Sequence, residues 1–358
     1  MLGMLLVLNL VVFVHELGHY LVYRWRGVSI RQFSVGFGPV LLRKRIGDTD
    51  FCLSAIPLGG YVLPMDKELA KFDSKEEEEK FRAERPGLMD ERSWMSNSGA
   101  FTRFIGAFAG PAFNYIFALF AGTLMFLSLD AVPVTGAPSV RAVTAGSFAE
   151  QAGVEAGDVL VEVNGDNVDS LEEAMYLLKK AVQQDEITVT VKGSDGIETF
   201  STALSGDLES RLFGVQLGYT EVIENPGILV SLRESWRTAW DFTVTQAEWF
   251  QRLFIGKSDV KDVSSVVGIV SQGSEVVVGG WIPILSLLLI INVALGFMNL
   301  LPIPPLDGSH MLMAVLHGIR GRPLGERAER MWRGAGMVFL LSLMLLGLVN
   351  DLFRIFGA

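Results

Sequence analysis

The sequence predicts a polytopic α-helical membrane protein with four transmembrane helices, a membrane-associated β-hairpin region and one inserted polar α+β domain. Three observations predict it. Half of the 358 residues are hydrophobic, only 20% are charged, and the mean hydropathy is +0.37. A soluble domain carries about 25% charged residues. Uncharged runs long enough to cross a bilayer recur, and a polar stretch with strand-like alternation lies among them. This composition excludes disordered and fibrous classes. Thirty basic against forty acidic residues leave a net charge of −10, which offers no basic surface for phosphates, so no nucleic-acid partner is expected. Cys52 is the single cysteine, and an intramolecular disulfide framework is therefore impossible.

The first span is expected over 1–25. Met1 to Val14 is uncharged, and only by continuing through His15, Glu16 and His19 does the run reach the about 20 residues a helical span needs. It lacks the basic start and small-residue cleavage site of a signal peptide, so it is expected to remain as a span. Residues 26–100 read as a cytoplasmic or membrane-associated β-region followed by an acidic loop. Ile30, Phe33, Val35 and Phe37 are spaced mostly by two, and Phe51, Leu53 and Ala55 alternate after the turn chemistry of Gly47-Asp48-Thr49-Asp50. The segment Ile56 to Val62 is apolar but broken by Pro57, Gly59 and Gly60. Such a β-element beside a membrane helix is either re-entrant, covered by protein or lining a watery cavity, or a small soluble hairpin. The charged run Lys75 to Lys80 reads as a solvated helix face or a mobile loop.

The second span is expected within 101–130, where Phe104 to Leu129 carries no charge. Residues 137–220 form a separate domain: a strand at Ser139 to Val143, another at Val159 to Val163 ending in Asn164-Gly165, a helix from Leu171 to Val182, and strands at Ile187 to Val191 and Phe213 to Leu217. The series Ala149-Glu150-Gln151-Ala152-Gly153-Val154, Gly157-Asp158 and Asn164-Gly165 resembles a circularly permuted bacterial PDZ domain. That resemblance implies an α+β fold that captures an extended peptide, or a substrate tail, at a sheet edge. Leu212, Phe213, Gly214 and Val215 match its peptide-binding loop.

Residues 227–255 read as an amphipathic interfacial helix, with Ile228, Leu232, Trp236, Trp240 and Val244 on one face. Packing against the polar domain is the alternative. The third span is expected over 281–306 and the fourth over 334–356. Arg24, Arg26, Arg31 and Arg43 to Arg45 follow the first span, and Arg320, Arg322, Arg327, Arg330 and Arg333 separate the last two. Positive charge marks cytoplasmic connections, so both termini and the polar domain are expected outside.

The sharpest chemical signal is His15-Glu16-Leu17-Gly18-His19. Histidines four apart share one helix face, and two imidazole nitrogens suit zinc, which then needs a third protein ligand. Glu16 stands next to the first histidine, where it can act as general base toward a water. Ionisable groups at membrane depth are costly and mark function. For the third ligand, Asp307 is the only carboxylate in Asn299-Leu300-Leu301-Pro302-Ile303-Pro304-Pro305-Leu306-Asp307-Gly308; His310 and His317 are rivals, and Asp307 can instead cap a helix.

Together these motifs look like the site-2 protease family of intramembrane zinc metalloproteases, in its bacterial, RseP-like branch with one PDZ domain. Phe33 to Pro39, Ile56 to Val62 and Ala109-Gly110-Pro111-Ala112-Phe113-Asn114 also resemble that family. The resemblance implies a Zn2+ site of one ion per chain on His15, His19 and Asp307, with Glu16 as catalytic base. It implies substrate contacts at Asn299, Pro302, Pro304, Asn114, Gly59 and Gly60. It further implies a bacterial inner-membrane location, single-span membrane proteins as substrates, and regulated intramembrane proteolysis of an anti-sigma factor or of signal-peptide remnants. The best-known relatives of this branch carry two PDZ domains, a departure here. Two other classes compete. A metal transporter or scaffold needs the ligands but no base at Glu16, and an inactive peptide-binding relative needs no metal.

Overall fold

The computed structural model describes residues 2–356 apart from 73, 145, 152, 169, 182–185, 194–195, 204–213, 256–279 and 323–324. They form two units, Met1–Ser128 with Ile228–Ala358 and, separately, Leu129–Gly227.

The first unit opens with α1 (Leu2–Trp25), an apolar helix with Arg24 in its last turn, where a cation opposes the helix dipole. Met4, Val7, Val11, His15 and His19 are all buried, and their spacing of three or four makes one continuous stripe. The stripe packs at its upper end on Ala121 and Leu288, and it carries the two imidazoles inward at its lower end.

Strands β1 (Ile30–Ile46) and β2 (Thr49–Pro64) follow as an antiparallel hairpin turning at Gly47-Asp48. The expected strands are two long ones, of 17 and 16 residues. The hairpin folds back on itself, so that Phe33 pairs with both Val62 and Phe51, and Ser34 with both Tyr61 and Cys52. Phe33 and Phe51 pack on Tyr20 of α1 with ring centroids 5.7 and 5.3 Å away, which fixes the hairpin to the helix. The acidic run becomes α2 (Lys75–Glu84), capped by Ser74 and without a buried residue, as a solvated helix face requires. Short 3-10 turns then bring Leu88 and Trp94 onto Met65 in a small buried cluster.

Helix α3 (Ala100–Leu127) lines up small residues against α1. Gly106 and Gly110 are spaced four apart, and Gly18 of α1 meets the Ala109 carbonyl, where a β-carbon would lie only 2.5 Å from the oxygen. Small residues at that spacing let membrane helices approach closely.

The second unit is an α+β body. Strands β3 (Ala131–Val143), β4 (Val159–Val163), β5 (Asp166–Asn167), β6 (Glu186–Gly193), β7 (Gly196–Ala203) and β8 (Val215–Glu224) form one sheet in the order β7-β6-β4-β3-β8, with β5 on β4. A short helix α4 (Phe148–Gln151) and α5 (Leu171–Ala181) complete it. Val140, Leu160, Ile187, Val189 and Leu177 are among its buried core. Asn164 and Gly165 both take positive φ, as a two-residue hairpin turn demands. Leu212 and Phe213 lie outside the described residues.

Helix α6 (Ile228–Ile255) returns to the first unit. One of its faces packs on the spanning helices. The Ser235 hydroxyl donates to the Leu119 carbonyl at 3.1 Å, the Tyr115 and Thr243 hydroxyls meet at 3.0 Å, and Phe250 packs on Phe297. Its contact face is Ser231, Ser235, Ala239 and Thr243, small residues four apart, of which the first three are fully or nearly fully buried. Trp236 and Trp240 remain exposed beside that face.

Helix α7 (Trp281–Leu300) stops six residues before the expected end of the third span. Pro302, Pro304 and Pro305 cannot continue a helix, and Leu301 is already extended. Helices α8 (Asp307–Arg320) and α9 (Glu326–Phe356) complete the chain. Among the described residues, three helices are long and apolar enough to cross a membrane: Gly3–Trp25, Ala100–Leu127 and Trp281–Leu300. The fourth apolar run lies within α9.

Candidate metal centre

His15 and His19, one turn apart on α1, present Nε2 atoms 3.2 Å from each other. Asp307 reaches them from the first residue of α8, with Oδ2 3.0 Å from Nε2 of His15 and 3.3 Å from Nε2 of His19. The three ligand atoms all lie within 4.8 Å of one another, the one such grouping of three among the described residues. Asp307 is not the helix cap; that position is Leu306, which makes no side-chain capping bond. Gly308 explains how the carboxylate reaches so far in. A β-carbon at 308 would overlap the carbonyl oxygens of Leu300 and Leu301, so only glycine lets the start of α8 fold tightly under the end of α7. The rivals His310, exposed, and His317, half-buried, line the same cavity but do not join this grouping.

α3 holds the two rings from behind. The Nδ1 atom of His19 lies 2.7 Å from the Gly106 carbonyl oxygen, so this nitrogen carries a proton and donates it, which leaves Nε2 as the nitrogen to face a metal. Nδ1 of His15 faces the amide of Asn114 at 3.2 Å. Gly110, between them on the same face, touches both imidazoles.

Glu16 is buried one residue from His15, and the backbone of Val62 hydrogen-bonds its carboxyl. A β-carbon at Gly60 would stand 3.0 Å from its Cγ. The end of the hairpin therefore lies directly against the candidate base. His15, Glu16, His19, Gly60, Asn299 and Asp307 all line one cavity of about 570 Å3. Asn299 donates to the Leu295 carbonyl at 3.1 Å, and its side chain borders this space. Pro305 lines it, whereas Pro302 and Pro304 do not. Gly59 packs on the Phe37 ring outside it, and Asn114 is fully buried behind His15. In the other unit, Gly214 accepts from the Thr144 amide and Val215 opens β8. Sequence reasoning missed Gly106, which acts through its carbonyl, and did not single out Val62 within the Ile56 to Val62 segment, because it acts through its backbone.

The donor set fits a divalent cation. Two imidazole nitrogens and the Asp307 carboxylate converge in one place, with the buried Glu16 carboxyl beside them, and buried charge of this kind is normally paired or metal-bound. Two nitrogens and one oxygen suit zinc with a coordination position left open.

Comparison with known proteins agrees with this chemistry. The model of peptidase family M50 matches residues 3–343. A protein of Mesorhizobium japonicum, provisionally named as a zinc metalloprotease, is 31% identical across 98% of this chain and 97% of its own length. A similarly named protein of Bartonella henselae is 32% identical over 96% of this chain and 99% of its own. The metalloprotease MmpA of Caulobacter vibrioides is 29% identical over 98% and 95%.

Proposed function

The chain belongs to peptidase family M50, the site-2 protease family, and from that premise we propose that it is an intramembrane endopeptidase cutting the transmembrane segments of single-span membrane proteins. It is a zinc metalloprotease of a membrane-protein family, with apolar helices of spanning length. The observation that carries the finer reading is the burial of His15, Glu16 and His19 in the middle of a spanning helix, beside Asp307 and an accessible cavity. Ionisable groups at that depth are retained for function.

His15, His19 and Asp307 would hold the metal, which when bound would supply Lewis acidity to the scissile carbonyl and lower the pKa of a water. Glu16 would take a proton from the attacking water and deliver it to the leaving amine. A helical substrate hides its peptide bonds, so it must unwind first. The strand ending at Gly60 to Val62 lies against Glu16 and offers backbone groups to which an unwound segment can add as a strand. Gly59 shapes that strand, and Asn299 supplies an amide for the substrate backbone, with Pro302 and Pro304 setting the loop beyond it. The apolar run in α9 forms a fourth span. Arginine placement puts the active-site connections in the cytoplasm and residues 129–227 in the periplasm of a bacterial inner membrane. There, as a PDZ-type module, they receive a peptide or substrate tail around Gly214 and Val215, in sequence continuity with Leu212 and Phe213.

The test is co-expression with a panel of single-span proteins, comparing the wild type with Glu16→Gln. New cytoplasmic fragments made only by the wild type support the assignment. Equal fragments from both remove Glu16 as base, and fragments from neither across the panel count against the substrate class.

A further inference from the structure

Asn114 is 0% exposed, and its side-chain amide faces the metal-site imidazole of His15, with Nδ2 3.2 Å from Nδ1. Its Oδ1 is buried and makes no hydrogen bond among the described residues. His15 turns its other nitrogen, Nε2, toward Asp307 and His19. For Nε2 to offer a lone pair to a cation, the ring proton must sit on Nδ1, and Nδ1–H then needs an acceptor. For His19 the Gly106 carbonyl already serves, at 2.7 Å. For His15 the group at hand is Asn114. Residues 106, 110 and 114 are spaced by four, so one face of α3 presents in turn a carbonyl to one ring, a close approach to both, and an amide to the other.

We propose that Asn114 is the positioning residue of His15. A half-turn of its amide about χ2 brings Oδ1 to Nδ1, where it accepts the ring proton and fixes the tautomer and ring plane in which Nε2 binds the metal. This rests on the reading of His15, His19 and Asp307 as ligands. It gives Asn114 a different part from the substrate contact that family resemblance implies, for which a fully buried side chain offers no surface.

The experiment uses the full chain in detergent, with zinc affinity measured by chelator competition and the visible spectrum recorded on the Co2+-substituted protein. Asn114→Leu keeps the shape and removes the acceptor. It is expected to weaken zinc by about 10–100-fold and to shift the cobalt bands. Asn114→Asp keeps an acceptor oxygen and is expected to bind zinc at least as well as the wild type. Unchanged affinity and cobalt bands in Asn114→Leu overturn the proposal, even if its thermal stability falls, because the amide is then packing alone. A folded Asn114→Asp as weak as Asn114→Leu also overturns it. If Asn114→Asp does not fold, the Asn114→Leu affinity and cobalt bands decide by themselves. His15→Ala separates the two levels. Full zinc retention there removes the ligand reading, whereas zinc loss there with wild-type behaviour in Asn114→Leu overturns the positioning role alone.

Discussion

Gly110 of α3 and His19 of α1 approach so closely that a β-carbon at position 110 would overlap the imidazole Nε2 and stand 2.8 Å from Cε1 of His15. No side chain larger than hydrogen fits between the helices at this depth. The ring cannot retreat freely, because its Nδ1 is tied to the Gly106 carbonyl.

Gly110→Ala should therefore displace a proposed ligand without removing one. Misplacing a reacting group by about 1 Å can cost about 10²-fold in rate. The variant is expected to lose cleavage by that order and to bind zinc more weakly. Gly334→Ala, where a β-carbon meets nothing within 4 Å, is the control and should behave as wild type. Cleavage assays and metal analysis on both proteins check this. Wild-type activity in Gly110→Ala would mean that α3 can move away from the site at little cost.

Removing donors should rank by position. His15→Ala, His19→Ala and Asp307→Asn are expected to lose most of the bound zinc, since each takes one of three atoms that converge within 4.8 Å. His310→Ala, at an exposed residue outside that grouping, should keep it. Metal content per chain after dialysis gives the order directly. A larger loss in His310→Ala than in Asp307→Asn would hand the third ligand to His310.

Much of this site was legible in the sequence because its signals are periodic. Histidines four apart on an apolar helix, and a lone carboxylate where prolines end another, are patterns of spacing and composition. What stayed hidden depends on the absence of side chains or on backbone atoms. Gly106 acts through its carbonyl, Val62 through its backbone, and Ser231, Ser235 and Ala239 through being small. In α6 the apolar face with Trp236 and Trp240 was legible, but the face of Ser231, Ser235 and Ala239 that packs on the other helices was not, because small residues carry no hydropathy signal. The third helix ended early because Leu301 to Leu306 is apolar enough to read as span, while its prolines forbid helix.

Topology can be tested from one exposed position. Asp166 lies in the short strand after the Asn164-Gly165 turn and is exposed, whereas Cys52 is 5% exposed. With residues 129–227 in the periplasm, Asp166→Cys should react with a membrane-impermeant thiol reagent in spheroplasts, and native Cys52 should not. Labelling of Asp166→Cys only after the membrane is opened would invert the proposed orientation.

The last prediction concerns the anchor of the hairpin. Asp50 and Arg85 meet at 2.6 Å with both side chains buried, and Arg45 donates to the other Asp50 oxygen at 3.2 Å. Burial by itself pushes the Asp50 carboxyl up, but the hydrogen bonds from Arg85 and then Arg45 outweigh it and hold the group below the ordinary carboxylate range. A depressed folded pKa stabilises the fold above the unfolded value of about 3.9, and that contribution is lost as pH falls through the lower folded value. Cys52, two residues along the strand, reports whether this part of the hairpin opens. In urea, the midpoint at which its thiol reacts with dithiodipyridine should fall as pH drops from about 5 toward about 3. Arg85→Met leaves a buried carboxylate without its shortest partner, which costs about 3–5 kcal/mol in other proteins, so its thiol should react at lower urea at neutral pH. Asp50→Asn combined with Arg85→Met removes the charge as well and should flatten the acid dependence. A wild-type midpoint independent of pH, or an Arg85→Met thiol as protected as wild type, would show that the Asp50–Arg85 ion pair does not hold this part of the hairpin closed.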